Sequence, residues 1–223
     1  MCAAQVLAQA PASFAEEWEF SALGLWESRY VSEGREDLED GGLFSSELVA
    51  AYDGFEFSAW AGLADSEHYQ ELQLTAAYVF DYRGFEFAAG YTHLEFEPGS
   101  DDDDEVFAEI STELFEMFVI GLSCVYYFEA KGSFYELVLG YPLTFLDEKL
   151  LVEPYALAGF DFDYRTEDYD GHNHLQFGID CEYVLTDRLS LVGYVAHSFA
   201  GPDIDREGLG DVSWFGLGVV ASF

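Results

Sequence analysis

The sequence predicts an all-β fold, a transmembrane up-and-down antiparallel β-barrel of about twelve strands. Three observations carry this. Apolar and polar side chains alternate with a period of two along most of the chain, the mark of strands with two different faces. The connectors alternate between tight turns and longer acidic stretches. Helix signals are nearly absent, and no run of about 18 apolar residues offers a membrane-spanning helix.

The composition agrees. Of 223 residues, 50% are hydrophobic and 18% aromatic, which argues against disorder. Asp and Glu number 44 against 8 Lys and Arg, for a formal charge of −36. Nucleic acid is a poor partner for such a surface, because phosphate binding needs a basic one. Small cations, basic partners or divalent ions fit better. Residues 1–10 read as the remnant of a signal peptide, with Ala8-Gln9-Ala10 as its cleavage signature, leaving 11–223 as a single barrel domain. Cys2 would leave with it. Cys124 and Cys181 fall on apolar faces far apart in the chain and predict free thiols.

The alternation marks strands at 18–31, 43–52, 55–64, 70–80, 85–96, 105–115, 118–128, 133–142, 150–164, 175–185, 189–199 and 212–223. The second places Phe44, Leu48 and Tyr52 opposite Ser45, Glu47 and Val49. The third and fifth open on the same four residues, Gly-Phe-Glu-Phe, at 54–57 and 84–87, each setting one carboxylate between two apolar rings. The fourth divides Leu72, Leu74, Ala76 and Tyr78 from Glu71, Gln73 and Thr75. The tenth divides Leu175, Phe177, Ile179 and Cys181 from Gln176, Gly178, Asp180 and Glu182. The twelfth divides Phe215, Leu217 and Val219 from Trp214, Gly216 and Gly218. Connectors after even strands are tight, as at Asp53-Gly54, 81–84, Glu116-Met117, 143–149 and 186–188. Those after odd strands include "SEGREDLEDGG" (32–42), "EPGSDDDDE" (97–105), "RTEDYDGHNH" (165–174) and "AGPDIDREGLGD" (200–211); those at 65–69 and 129–132 are shorter. An even strand count puts both termini on the short-turn, periplasmic rim. Aromatic residues at strand ends on the apolar face (Trp26, Tyr30, Tyr52, Phe55, Tyr78, Phe80, Phe85, Tyr126, Phe128, Tyr141, Tyr164 and Tyr183) predict the two girdles that flank an apolar band.

The terminal "WFGLGVVASF" is similar to the C-terminal assembly signal of Gram-negative outer-membrane β-barrel proteins. In addition, "SALGLWESRYVSEG", "YDGFEFSAWAG" and "FYELVLGY" resemble the uncharacterised Gcw_chp-type family, although Glu33 stands before Gly34 where a basic residue is expected. These resemblances imply a barrel in the bacterial outer membrane with the lipid bilayer and lipopolysaccharide as partners. They imply no reaction.

The polar face would line the lumen, where a wall residue can meet a solute. Glu47, Glu56, Glu71, Glu86, Glu109, Glu113, Glu136, Glu153, Asp161, Asp180 and Glu182 form the expected cation path, with Glu17, Glu19, Glu27 and Asp163 on the same face and Arg29 as its one base. Twelve strands lie between barrels filled by side chains and those with open channels. Rings of carboxylates favour cations. The expectation is a small passive, porin-like channel that prefers cations. Carboxylates that merely reflect a salt-adapted composition are the plain alternative. A structural or adhesive barrel acting through its acidic outer loops is the alternative from another class. Catalysis is not expected: in His197-Ser198, the adjacent histidine–serine pair, consecutive strand residues face opposite ways. No cofactor is required. Asp168, Asp170, His172 and His174, and the run Asp101–Glu105, could hold a metal, with Ca²⁺ or Mg²⁺ suited to the oxygen ligands and a transition metal to the histidines.

Overall fold

Twelve antiparallel strands close one sheet into a barrel. The computed structural model describes residues 17–98, 102–166 and 169–223. The predicted signal remnant, Cys2, Asp101 and Asp168 lie outside them. In chain order the elements are β1 (Glu19–Glu27), β2 (Val31–Ser32), β3 (Arg35–Glu36), β4 (Leu43–Tyr52), β5 (Phe55–Ala64), β6 (Gln70–Tyr82), β7 (Phe85–Glu97) and β8 (Asp102–Leu114). There follow β9 (Phe118–Tyr127), β10 (Gly132–Gly140), β11 (Leu143–Phe145), β12 (Leu150–Phe162), β13 (Gly171–Thr186), β14 (Leu189–Ala200), helix α1 (Pro202–Arg206) and β15 (Val212–Ser222). The wall consists of β1, β4–β10 and β12–β15, each paired with its neighbours along the chain. Pairing of β1 with β15, from Ser21 opposite Ser222 to Glu27 opposite Gly216, closes the ring. Closure leaves no open sheet edge, the condition for strands to cross lipid.

The turns explain the two Gly-Phe-Glu-Phe copies. Asp53 and Gly54 have φ of 47° and 82°, and Arg83 and Gly84 have 57° and 82°. Two left-handed residues in a row make the tight turn whose twist matches the flanking strands. Each copy therefore begins a strand straight after a turn. These turns and both ends of the wall share one rim, where the Phe223 N–H donates to the Phe20 carbonyl at 2.9 Å.

The wall's polarity is that of a membrane barrel. Phe44, Leu48, Phe55, Phe57, Leu74, Tyr78, Phe177, Leu191 and Leu217 are exposed on the outside. Leu25, Val31, Tyr194, Ala196, Val212 and Trp214 pack together inside, against one side of the ring. Cys124 and Cys181 are free.

Five expectations are corrected. The first strand ends at Glu27, not at 31, and the chain then turns inward. Arg29 is consequently not a lumenal base; it pairs with Glu36 in the loop, and its side chain is 47% exposed. Tyr30 is buried inside rather than set in the outer girdle. Tyr164 also turns inward, where its hydroxyl donates to Glu105 at 2.6 Å. The acidic stretches at 102–105 and 171–174 are strand, not loop. Their backbone groups are already paired, with Asp104 opposite His93 and His174 opposite Gly159.

Candidate functional site

The segment between β1 and β4 sets the mouth on the rim opposite the short turns. Its short β2–β3 hairpin turns on Glu33 and Gly34, with φ of 44° and 76°. That turn lies against His174: a Cβ on Gly34 would stand 2.5 Å from the imidazole. The hairpin carries Arg35 inward, where it is 4% exposed. Its Nη2 donates to Asp203 at 2.8 Å, Nη1 to Asn173 at 2.7 Å and Nε to Glu207 at 2.7 Å, with Asp161 4.0 Å away. Asn173 returns a bond to the Glu33 carbonyl at 2.6 Å, and Thr166 donates to Asp203 at 2.7 Å. Arg165 approaches from the connector after β12, pairing with Asp37 and lying 3.8 Å from Glu33. Burial works against the Arg165 charge, but the facing Asp37 and Glu33 carboxylates outweigh it and hold its pKa above the usual range. At the other end Gly42 N–H and the Trp26 indole donate to Asp65 at 2.9 and 3.1 Å, and in that order they lower its pKa. Tyr30 donates to Glu71 at 2.8 Å, joining Tyr69 and Gln73, each at 2.6 Å. Leu38, Leu43 and Trp60 pack around it.

Below this mouth lies a cavity of about 520 Å³, walled by β1 and β4–β9. Its lining holds nine carboxylates, Glu27, Glu33, Asp37, Glu47, Glu56, Glu71, Glu86, Glu105 and Glu109, and one base, Arg165. Of the expected path, Glu47, Glu56, Glu71, Glu86 and Glu109 meet here. Glu136 also points inward, in register with Ser123 and through it with Glu109, but stands outside the cavity lining. Glu27 accepts from Tyr194. Glu153, Asp161, Asp180 and Glu182 lie on the packed half of the ring. Asp161 accepts the Tyr164 and Arg165 N–H groups at 2.8 and 3.0 Å. Asp180 is fully buried, and neither of its oxygens has a partner among the described residues. Glu113, Glu17, Glu19 and Asp163 are exposed at strand ends or in turns.

The proposed metal ligands separate. A register shift at Asn173 puts His174 inside the barrel, while His172 packs against the Phe160 ring. Asp170 is exposed. In the run that follows Asp101, Asp103 and Glu105 face in, and Asp104 faces out beside His93. Among the described residues no three His, Cys, Asp or Glu side chains come close enough to hold a metal ion. Ser198 points inward and His197 outward to Ser213, so they form no nucleophile–base pair. Sequence reasoning missed the inward turn of Arg35, Arg165 and Tyr30. The only signal for it was the short alternation around Glu33-Gly34, which is that of a hairpin.

The fold is similar to those of solved outer-membrane barrels. An outer membrane channel from Pseudomonas putida F1 matches with a TM-score of 0.59 at 12% identity, over 96% of this chain and 98% of that one. The NanC porin matches at 0.57 and 10%, over 91% and 98%. The translocator domain of the autotransporter NalP from Neisseria meningitidis matches at 0.54 and 10%, over 98% and 93%. No family model and no curated sequence matches the chain, so the finer likeness to Gcw_chp-type proteins has no support beyond its motifs. At these identities the likeness is one of fold: the chain has the barrel fold of these outer-membrane proteins, with an apolar outer wall suited to lipid.

Proposed function

We propose that the protein is a passive channel of the outer membrane that prefers small cations, with its termini and short turns on the periplasmic side. The observation that carries this is the cavity's charge: nine carboxylates against one arginine, itself paired with Asp37 and Glu33. A low-dielectric wall focuses such a field and concentrates counter-ions. No catalytic step is part of this reading. An adhesive role through the outer loops has less to recommend it, because Arg35, Asp37, Arg165 and Asp203 spend their contacts on one another.

The test is the reversal potential of the purified barrel in a planar bilayer under a KCl gradient. A cation-selective potential is expected, moving toward zero when Glu47, Glu56 and Glu109 are changed to glutamine. Anion selectivity, or a barrel that does not conduct, rejects the proposal.

A further inference from the structure

The carboxylates of the cavity are distributed along it: Glu56, Glu86 and Glu109 lie toward the short-turn rim, with Glu86 and Glu109 diagonal neighbours across β7–β8, and Glu105 and Glu71 lie toward the other. Counted along their strands from the short-turn ends, Glu56 and Glu86 stand one residue in, Glu47 and Glu109 five, Glu105 nine and Glu71 eleven. Glu105 and Glu109, four residues apart on β8, are roughly 13 Å apart along the strand, and about 10 Å along the axis of a barrel whose strands tilt by about 40°. No bare ion can span that distance, and among the described residues no three ligands converge on one.

Between the carboxylates the wall is aromatic. Trp60 lies across Gly62, where a Cβ would stand 2.4 Å from the ring, and stacks on Tyr30 with centroids 6.3 Å apart. Phe107 lies across Gly90 in the same way, at 2.5 Å. Both rings line the cavity. Flat rings laid over glycines present faces that attract alkylammonium groups and cover methylenes. An inorganic cation gains little from them.

We infer that the cavity binds an extended organic polycation, an aliphatic diamine or polyamine, with its ammonium groups at successive carboxylates and its methylenes against Trp60 and Phe107. This rests on the reading of the lumen as wet and cation-preferring, and it names the class of cation.

Calorimetric titration of the full chain in detergent, with spermidine, 1,4-diaminobutane and Mg²⁺ as probes, tests it. Spermidine should bind at least tenfold more tightly than Mg²⁺. Phe107→Leu and Trp60→Leu should each weaken it about tenfold, the scale of one lost cation–π contact. Faster gel migration of the unheated variants checks that they have folded. Glu109→Gln, which keeps the side chain's shape, supplies a further folded variant and should also weaken binding. Equal affinity for Mg²⁺ and spermidine, or aromatic variants that bind as the parent does, overturns the inference. Because the titration needs no current, the two claims fail separately. Spermidine binding by a barrel that does not conduct rejects the channel and keeps the site, whereas conductance without spermidine binding does the reverse.

Discussion

Asp180 shows at the scale of one residue how the inner wall differs from an ordinary core. Most buried polar side chains elsewhere on the wall are matched, the Ser198 hydroxyl excepted: Glu71 with three donors, Gln176 with the Tyr155 hydroxyl, Asp161 with two backbone N–H groups. Asp180 faces Glu153 across β12–β13 with neither oxygen bonded among the described residues. A buried acceptor without a donor costs about 1–3 kcal/mol, more if charged. Asp180→Asn keeps the shape and removes the repulsion from Glu153, so the detergent-solubilised barrel should gain about 1–2 kcal/mol. Thermal unfolding checks this; a lower melting temperature would mean that something outside the polypeptide holds the carboxylate. The inward placement of Asp180 was legible, because parity in a strand fixes the face. Its lack of partners was not, since that depends on side chains from three strands.

At the scale of elements, twelve wall strands were legible in number and in face, because lipid outside and polar groups inside enforce a period of two. The β2–β3 hairpin was not. A loop's composition says that it is polar, but not which way it turns, and Arg35 meets partners as distant along the chain as Asp203 and Glu207. The register shift at Asn173 that parts His172 from His174 was equally hidden, because periodicity alone would put the two histidines on one face. The hairpin's docking depends on Gly34. Alanine there must adopt a left-handed φ, at about 1 kcal/mol, and drive its Cβ into His174. Gly34→Ala should therefore release residues 28–42 from the mouth while the wall stays closed. Arg35→Ala should do the same by leaving the buried Asp203 without its charge partner and the Asn173 side-chain carbonyl without its donor, a loss of about 3–5 kcal/mol. Both variants should become sensitive to protease in 28–42 and conduct more per channel. Unchanged cleavage and conductance in both would show that the hairpin does not close the mouth.

For the molecule as a whole, the formal charge of −36 governs how the barrel responds to the ions around it. Packing on one side of the ring by Leu25, Tyr194 and Trp214 leaves the cavity on the side walled by β1 and β4–β9, where the carboxylates line it. Their field reaches a passing ion only over the screening distance. That distance falls from about 10 Å at about 0.1 M salt to about 3 Å at about 1 M. The fields of carboxylates about 10 Å apart along the axis, such as those of Glu105 and Glu109, then overlap at low salt and separate at high salt. The cation preference measured by reversal potential should accordingly be strong at the lower concentration and decline steeply toward the higher one. The same screening relieves self-repulsion, so thermal stability should rise over the same range. A selectivity that holds constant from low to high salt would mean that size or direct contact, not the summed field of the carboxylates, selects the ion.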